Sequence, residues 1–212
     1  MSRIYRLLCA AVCAAGLGVG AGPITLPKPQ TEGGKPLMEV LKARRSAREF
    51  SPEKLSPQVL SNLLWAAFGI NRADGRRTAP SASNRQEIEI YAAMAEGLYR
   101  YDAAAHRLEP VLEQDVRAAT GTQHFVSSAP LNLVYVADMS RVSPASRSAG
   151  DTALYTGADT GFISQNVYLF CASEGLATVV RAGVDRASLA RLMKLPENRR
   201  ITLAQSVGYP AK

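Results

Sequence analysis

The chain has 212 residues, 47% hydrophobic and 20% charged, with 25 Lys/Arg against 18 Asp/Glu and a formal net charge of +7. That length supports one well-filled core, and no Pro/Gly/Ser-rich linker divides the interior, so a single domain is expected. The basic balance comes without a Lys/Arg block interleaved with aromatics, which argues against nucleic acid, and two His without ligand spacing argue against a metal centre.

At the N-terminus, Arg3 and Arg6 precede an apolar stretch from Leu7 to Gly22 that contains the small-x-small site Val19-Gly20-Ala21. This predicts a secretory signal peptide over residues 1–21, cut after Ala21, and a product exported to the periplasm or secreted. The stretch falls short of the roughly 20 apolar residues that span a bilayer, so an uncleaved anchor is the lesser reading. Cys9 and Cys13 leave with the signal. Cys171 alone cannot form an internal disulfide, and its apolar helical surroundings suit a packed, inert thiol.

Residues 22–36 are rich in Pro, Gly and Lys and predict a flexible or wrapping arm that adds nothing to the core. From residue 37 to 212 the pattern is that of a folded domain. Leu37, Val40 and Leu41 have the i, i+3, i+4 spacing of a short amphipathic helix, and Arg44-Arg45-Ser46-Ala47-Arg48-Glu49-Phe50 falls where it ends. Guanidinium forks and a hydroxyl suit a phosphate, and the alternative is a solvated basic helix end complementing the dipole. Ser56 as N-cap, Pro57 in the first turn, the stripe Val59, Leu60, Leu63, Leu64, Ala67 and the stop at Gly69 predict a helix, with Trp65 a packing residue.

Asn71 to Arg77 reads as a turn whose Arg72, Arg76 and Arg77 either meet a nucleotide phosphate or form a mobile cationic loop. Thr78 to Asn84 is a loop of small residues entering an alternating strand over Glu87 to Met94. Leu98 to Tyr101 and Arg107 to Glu109 then predict a hairpin with His106 in its exposed turn, and Val111 to Thr120 a short helix. Leu131 to Val136 is a second apolar strand. Gly150 to Gly175 is a long, weakly charged helix, buried between layers or between subunits. Leu176 to Ala182 reads as a strand, Asp185 as N-cap for a helix over Arg186 to Met193, and Ile201, Leu203, Gln205, Val207 as a last alternating strand. Helices and strands mix without a regular βαβ repeat, and no Gly-x-Gly-x-x-Gly fingerprint is present. The fold class is α+β, a central mixed or antiparallel sheet flanked by helices.

Three of these segments together, Arg44 to Phe50, Pro80-Ser81-x-x-Asn84 and Glu174 to Gly183, resemble the nitroreductase family of FMN-dependent oxidoreductases. Tyr99 to Asp102 and Val207 to Pro210 look like its branch of peptide azoline dehydrogenases. The resemblance implies an intertwined homodimer with two FMN sites, and NADH or NADPH as reductant. It implies phosphate binding by Arg44, Arg45 and Ser46, and Arg48 near the flavin N1/O2 edge. Pro80, Ser81, Ala82, Ser83 and Asn84 would cover the ring from the partner subunit, and Arg181, Ala182 and Gly183 would present a backbone N–H near N5. Gln123 is either a ligand of the flavin's pyrimidine edge or a surface amide. The implied reaction is hydride transfer through the flavin, in ping-pong fashion, to a nitroaromatic, a quinone or a similar acceptor. The alternatives are a flavin dehydrogenase of azoline-type substrates and a catalytically silent flavin binder.

Overall fold

A computed structural model of the chain, describing residues 22–142 and 148–211, is organised around one seven-stranded sheet. The predicted signal peptide lies outside the described residues. The strands are β1 (Ile24–Thr25), β2 (Ile88–Met94), β3 (Gly97–Asp102), β4 (Arg107–Leu112), β5 (Leu131–Asp138), β6 (Ala177–Arg181) and β7 (Arg199–Gly208). Their spatial order is β1-β4-β3-β2-β5-β7-β6, and every neighbouring pair is antiparallel. The sheet predicted as mixed or antiparallel is therefore wholly antiparallel.

Period-two alternation sends each central strand's side chains into two separate cores. Ile88, Ile90, Leu133 and Tyr135 face α2 (Pro57–Phe68) and α3 (Ala149–Glu174), meeting Leu63, Leu64, Ile163, Val167 and Cys171. Tyr91, Ala93, Val134 and Val136 face the opposite way, where α4 (Arg186–Leu192) adds Leu189, followed by Met193. Burying a leucine fully is worth about 2 kcal/mol, so Leu63 and Leu64 alone anchor α2 strongly. A third cluster, Phe50, Phe125, Val126, Ala129, Ala177 and Val179, seals the β6 side of the sheet.

The helix ends follow local chemistry. Ser56 Oγ accepts from Val59 N–H at 3.2 Å and Pro57 opens α2. Ser148 and Asp151 cap each other reciprocally at the start of α3, and Gly175 ends it at φ +73°, a left-handed conformation that favours glycine.

Helix α1 (Leu37–Ala43) forms where its spacing predicts, and among the described residues only Val40 of its apolar positions is buried, with Leu37, Met38 and Leu41 exposed. Three expectations change. Residues 22–36 do join the core: β1 pairs with β4, Leu26 is buried, Ser61 Oγ donates to Pro27 O, and Lys35 N–H donates to Ser173 Oγ at 3.0 Å. Instead of a helix over Val111 to Thr120, β4 continues to Leu112 across a bulge opposite Leu98, and only Arg117–Thr120 forms a 3₁₀ turn. His106 is drawn inward rather than left in an exposed turn. Its ring lies 2.7 Å from Ser61 Oγ and 3.0 Å from Tyr101 OH, and burial lowers its pKa.

Candidate functional site

Helix α1 stops because Arg44 leaves helical geometry at ψ 122°, while its N–H still closes onto Val40 O. The following segment runs beside β6 and the chain's end: Ala47 N–H donates to Thr178 O at 2.9 Å, Ser51 N–H donates to Tyr209 O at 2.9 Å, and Phe50 bridges to Pro210. Arg44 stacks its guanidinium over the Tyr168 ring of α3, 5.3 Å from the centroid. Tyr168 OH lies 2.8 Å from Ser46 Oγ and accepts from Val180 N–H at 3.0 Å. Beside this contact opens a pocket of about 490 Å³, walled by Lys35, Lys42, Arg44, Arg45, Tyr168 and Thr178 among others. Four cations around one cavity make a setting for a polyanion. Ser46 and Arg48 are exposed and neither lines that cavity, though Ser46 touches its wall at Tyr168.

Lys35, Lys42 and Tyr168 escaped the sequence reading. Four cations between residues 35 and 45 are a visible signal for the lysines. Nothing local marks Tyr168, which stands 122 residues from Ser46.

Beyond the other end of β6 a second corner forms. Thr122 N–H donates to Gly183 O at 3.1 Å, and a Cβ at Gly183 would lie 2.8 Å from Gln123 Nε2, so a larger residue there would displace the Gln123 side chain. Gln123 Oε1 is buried and finds no hydrogen-bond donor among the described residues, an arrangement that normally costs about 1–3 kcal/mol. It is an acceptor waiting for an N–H or O–H. Ala182 is exposed beside it.

Arg181 differs from expectation as far as its side chain is concerned. Its guanidinium is buried and donates to Thr120 O, to Asn132 Oδ1 at 2.9 Å and to Ser206 Oγ at 3.1 Å. Burial lowers its pKa to about 10, which still leaves it cationic at neutral pH. This side chain ties β6 to β5, β7 and the 120s loop, leaving only its backbone to face a ligand.

The loop Pro80, Ser81, Ala82, Ser83, Asn84 meets α3 elsewhere. Ser83 and Asn84 adopt left-handed backbone at φ +55° and +52°, and Ala82 N–H donates to Asp159 Oδ2 at 2.9 Å. Ser81 Oγ closes the loop by accepting from Gln86 N–H at 2.9 Å. Underneath, Glu87 is buried against Asp159; its Oε2 finds no donor, and burial together with the hydrogen bond to Asp159 pushes its pKa up to about 7. A proton held on Glu87 lets it donate to Asp159. Asp159 and Tyr168 are nine residues apart on one helix, about 14 Å along the axis and half a turn around it. One protomer therefore keeps the loop and the cation pocket on opposite faces of α3.

An antiparallel α+β sheet carries a cationic pocket at one edge and an unpaired amide acceptor beyond the same strand, and the family match makes the chain a flavin oxidoreductase. The chain belongs to the Nitroreductase family, whose model matches residues 41–209. It is 32% identical over 172 residues to the protein named as a nitroreductase, MJ1384, of Methanocaldococcus jannaschii, covering 76% of this chain and 85% of that one. A crystal structure of a nitroreductase-like protein from Ralstonia eutropha JMP134 superimposes with a TM-score of 0.86 at 42% identity, over 92% of this chain and 93% of that one. The NADPH:FMN oxidoreductase of Vibrio harveyi, solved with NAD+, shares the fold at a TM-score of 0.62 and 23% identity, over 83% and 69% of the two chains.

Proposed function

We propose that the protein binds FMN and passes hydride from NADH or NADPH to an electron-poor acceptor such as a nitroaromatic or a quinone. The observation that carries this reading is the pairing of two features flanking β6, the four-cation pocket and the donorless Gln123 Oε1. A molecule with a dianionic phosphate and a ring N–H complements both. Arg44 and Ser46, with Arg45, Lys42 and Lys35 nearby, would hold the phosphate, and Gln123 Oε1 would accept from the pyrimidine N3–H. Arg48, exposed beyond the pocket, is available to the N1/O2 edge, where a cation favours added negative charge. Ala182 and Gly183 offer backbone groups beside Gln123. When bound, the flavin supplies N5, the atom that accepts and returns hydride.

The same reading makes the protein a homodimer. Leu37, Met38 and Leu41 on α1, and Phe162 on α3, are exposed large apolar side chains that a second copy would cover. That copy would also bring its Pro80–Asn84 loop to the pocket that the loop of the first cannot reach. Export after removal of residues 1–21 belongs to the proposal too, supported by Arg3, Arg6 and the apolar stretch behind them.

The test is to load the purified protein with FMN, remove the excess and add NADH or NADPH anaerobically. Flavin absorbance that is retained and then bleaches is expected. No retained flavin would overturn the cofactor assignment, and retained flavin that neither nucleotide bleaches would overturn the reductant.

A further inference from the structure

The hydroxyl of Tyr168 joins three elements at one point. It is buried on α3, it accepts from the β6 amide of Val180, and it touches Ser46 in the segment after α1. Hydrogen-bond direction follows from the inventory of donors. A backbone N–H only donates, so the Val180 contact occupies the phenol oxygen as acceptor. The phenol's own hydrogen then needs a partner, and among the described residues Ser46 Oγ is the one hydrogen-bonded acceptor beside it. Were Ser46 to donate instead, the Tyr168 hydrogen would find a partner only in the solvent of the pocket that Tyr168 lines. Donation from Tyr168 OH to Ser46 Oγ satisfies all three groups within the protein and leaves the Ser46 hydrogen for the exposed side. The same ring carries Arg44 on its face. Arg44 has only donors to offer.

We infer that Tyr168 is a positioning residue that turns Arg44 and Ser46 into an all-donor grip, selective for a phosphate monoester terminus over a hydroxyl terminus. The relay runs from Val180 N–H to Tyr168 OH to Ser46 OH, and its outward hydrogen suits an acceptor that carries no hydrogen of its own. A dianionic phosphate is such an acceptor; a ribityl hydroxyl gains little from it. The inference rests on the reading of Arg44 and Ser46 as the phosphate site of FMN, and the experiment separates the two.

Dissociation constants for FMN and for riboflavin, which lacks the phosphate, are measured by flavin fluorescence for the wild type, Tyr168→Phe, Ser46→Ala and the double variant. Wild type is expected to prefer FMN strongly. Tyr168→Phe should weaken FMN on the order of tenfold, leave riboflavin unchanged, and add little once Ser46→Ala is present. Equal binding of both flavins by the wild type would overturn the phosphate-site reading itself. A preserved wild-type preference, with Tyr168→Phe weakening both flavins alike or neither, would overturn the positioning role alone. If Tyr168→Phe does not fold, 3-fluorotyrosine placed at position 168 keeps the ring and both hydrogen bonds while strengthening the donor. The FMN-to-riboflavin ratio should then shift in the wild-type background and stay fixed in Ser46→Ala, and an unshifted ratio overturns the relay.

Discussion

Arg181 and Arg44 both flank β6 and have opposite duties. Arg181 spends its donors on Thr120, Asn132 and Ser206, none of them anionic, so its role is to hold a loop and three strands together. Arg181→Ala should lower stability by about 3 kcal/mol, through orphaned acceptors and a cavity, seen as a drop in the denaturant midpoint at unchanged m-value. An unaltered midpoint with lost flavin would instead make it a ligand. Arg44, stacked on Tyr168 and lining the pocket, should matter more to FMN affinity than Arg48, which lies outside it. Arg44→Ala is expected to raise the dissociation constant by at least roughly tenfold, and Arg48→Ala by less, in equilibrium titrations. Equal losses would deny the pocket its place in phosphate binding. Cys171 belongs with Arg181 as an interior residue, since burial pushes its thiol pKa far up and leaves it unreactive at neutral pH.

Among the elements, the Pro80–Asn84 loop and the start of β2 share a titration. Glu87 holds its proton to about pH 7 in the folded chain but releases it near its ordinary 4.5 when unfolded. Between those values the folded state binds more protons, so this contribution to stability is complete below pH 4.5 and is lost as pH rises through 7. The whole effect is worth up to roughly 3 kcal/mol. Glu87→Gln, whose amide can donate permanently to Asp159, should flatten that slope and make the protein more stable than wild type at pH 8. Thermal unfolding at pH 5 and pH 8 measures it, and matching profiles for the two proteins would rule the Glu87 proton out. How legible each element is from sequence depends on how far away its partners lie. Helix α2 could be read from Ser56, Pro57 and Gly69 because cap, first turn and stop are local, and β2 and β7 from their alternation. His106 could not, because its partner Ser61 is 45 residues away, nor could the packing of residues 22–36 against β4 and α3. The cation cluster of the site was visible at Arg44 and Arg45. The tyrosine beneath it, and the internal commitment of Arg181, emerge only once α3 and β7 are in place.

At the scale of the whole molecule, α3 acts as a divider. It presents Asp159 to the loop and Tyr168 to the cation pocket, half a turn apart, so under the proposed reading the loop over the flavin comes from a second chain. Met38→Glu together with Phe162→Glu, both exposed in the protomer, should shift the protein to monomer in sedimentation velocity and release flavin while circular dichroism stays native. A monomeric variant that keeps its flavin would confine the site to one chain. The sheet's margins bear on how copies meet. One margin is a strand only two residues long, Ile24–Thr25 laid on β4, and at the other the backbone of Ala47 takes up the carbonyl of Thr178. Those contacts take up part of each margin and shorten the ladder on which a further strand could be templated. Endless edge-to-edge fibres of crowded copies are thereby disfavoured.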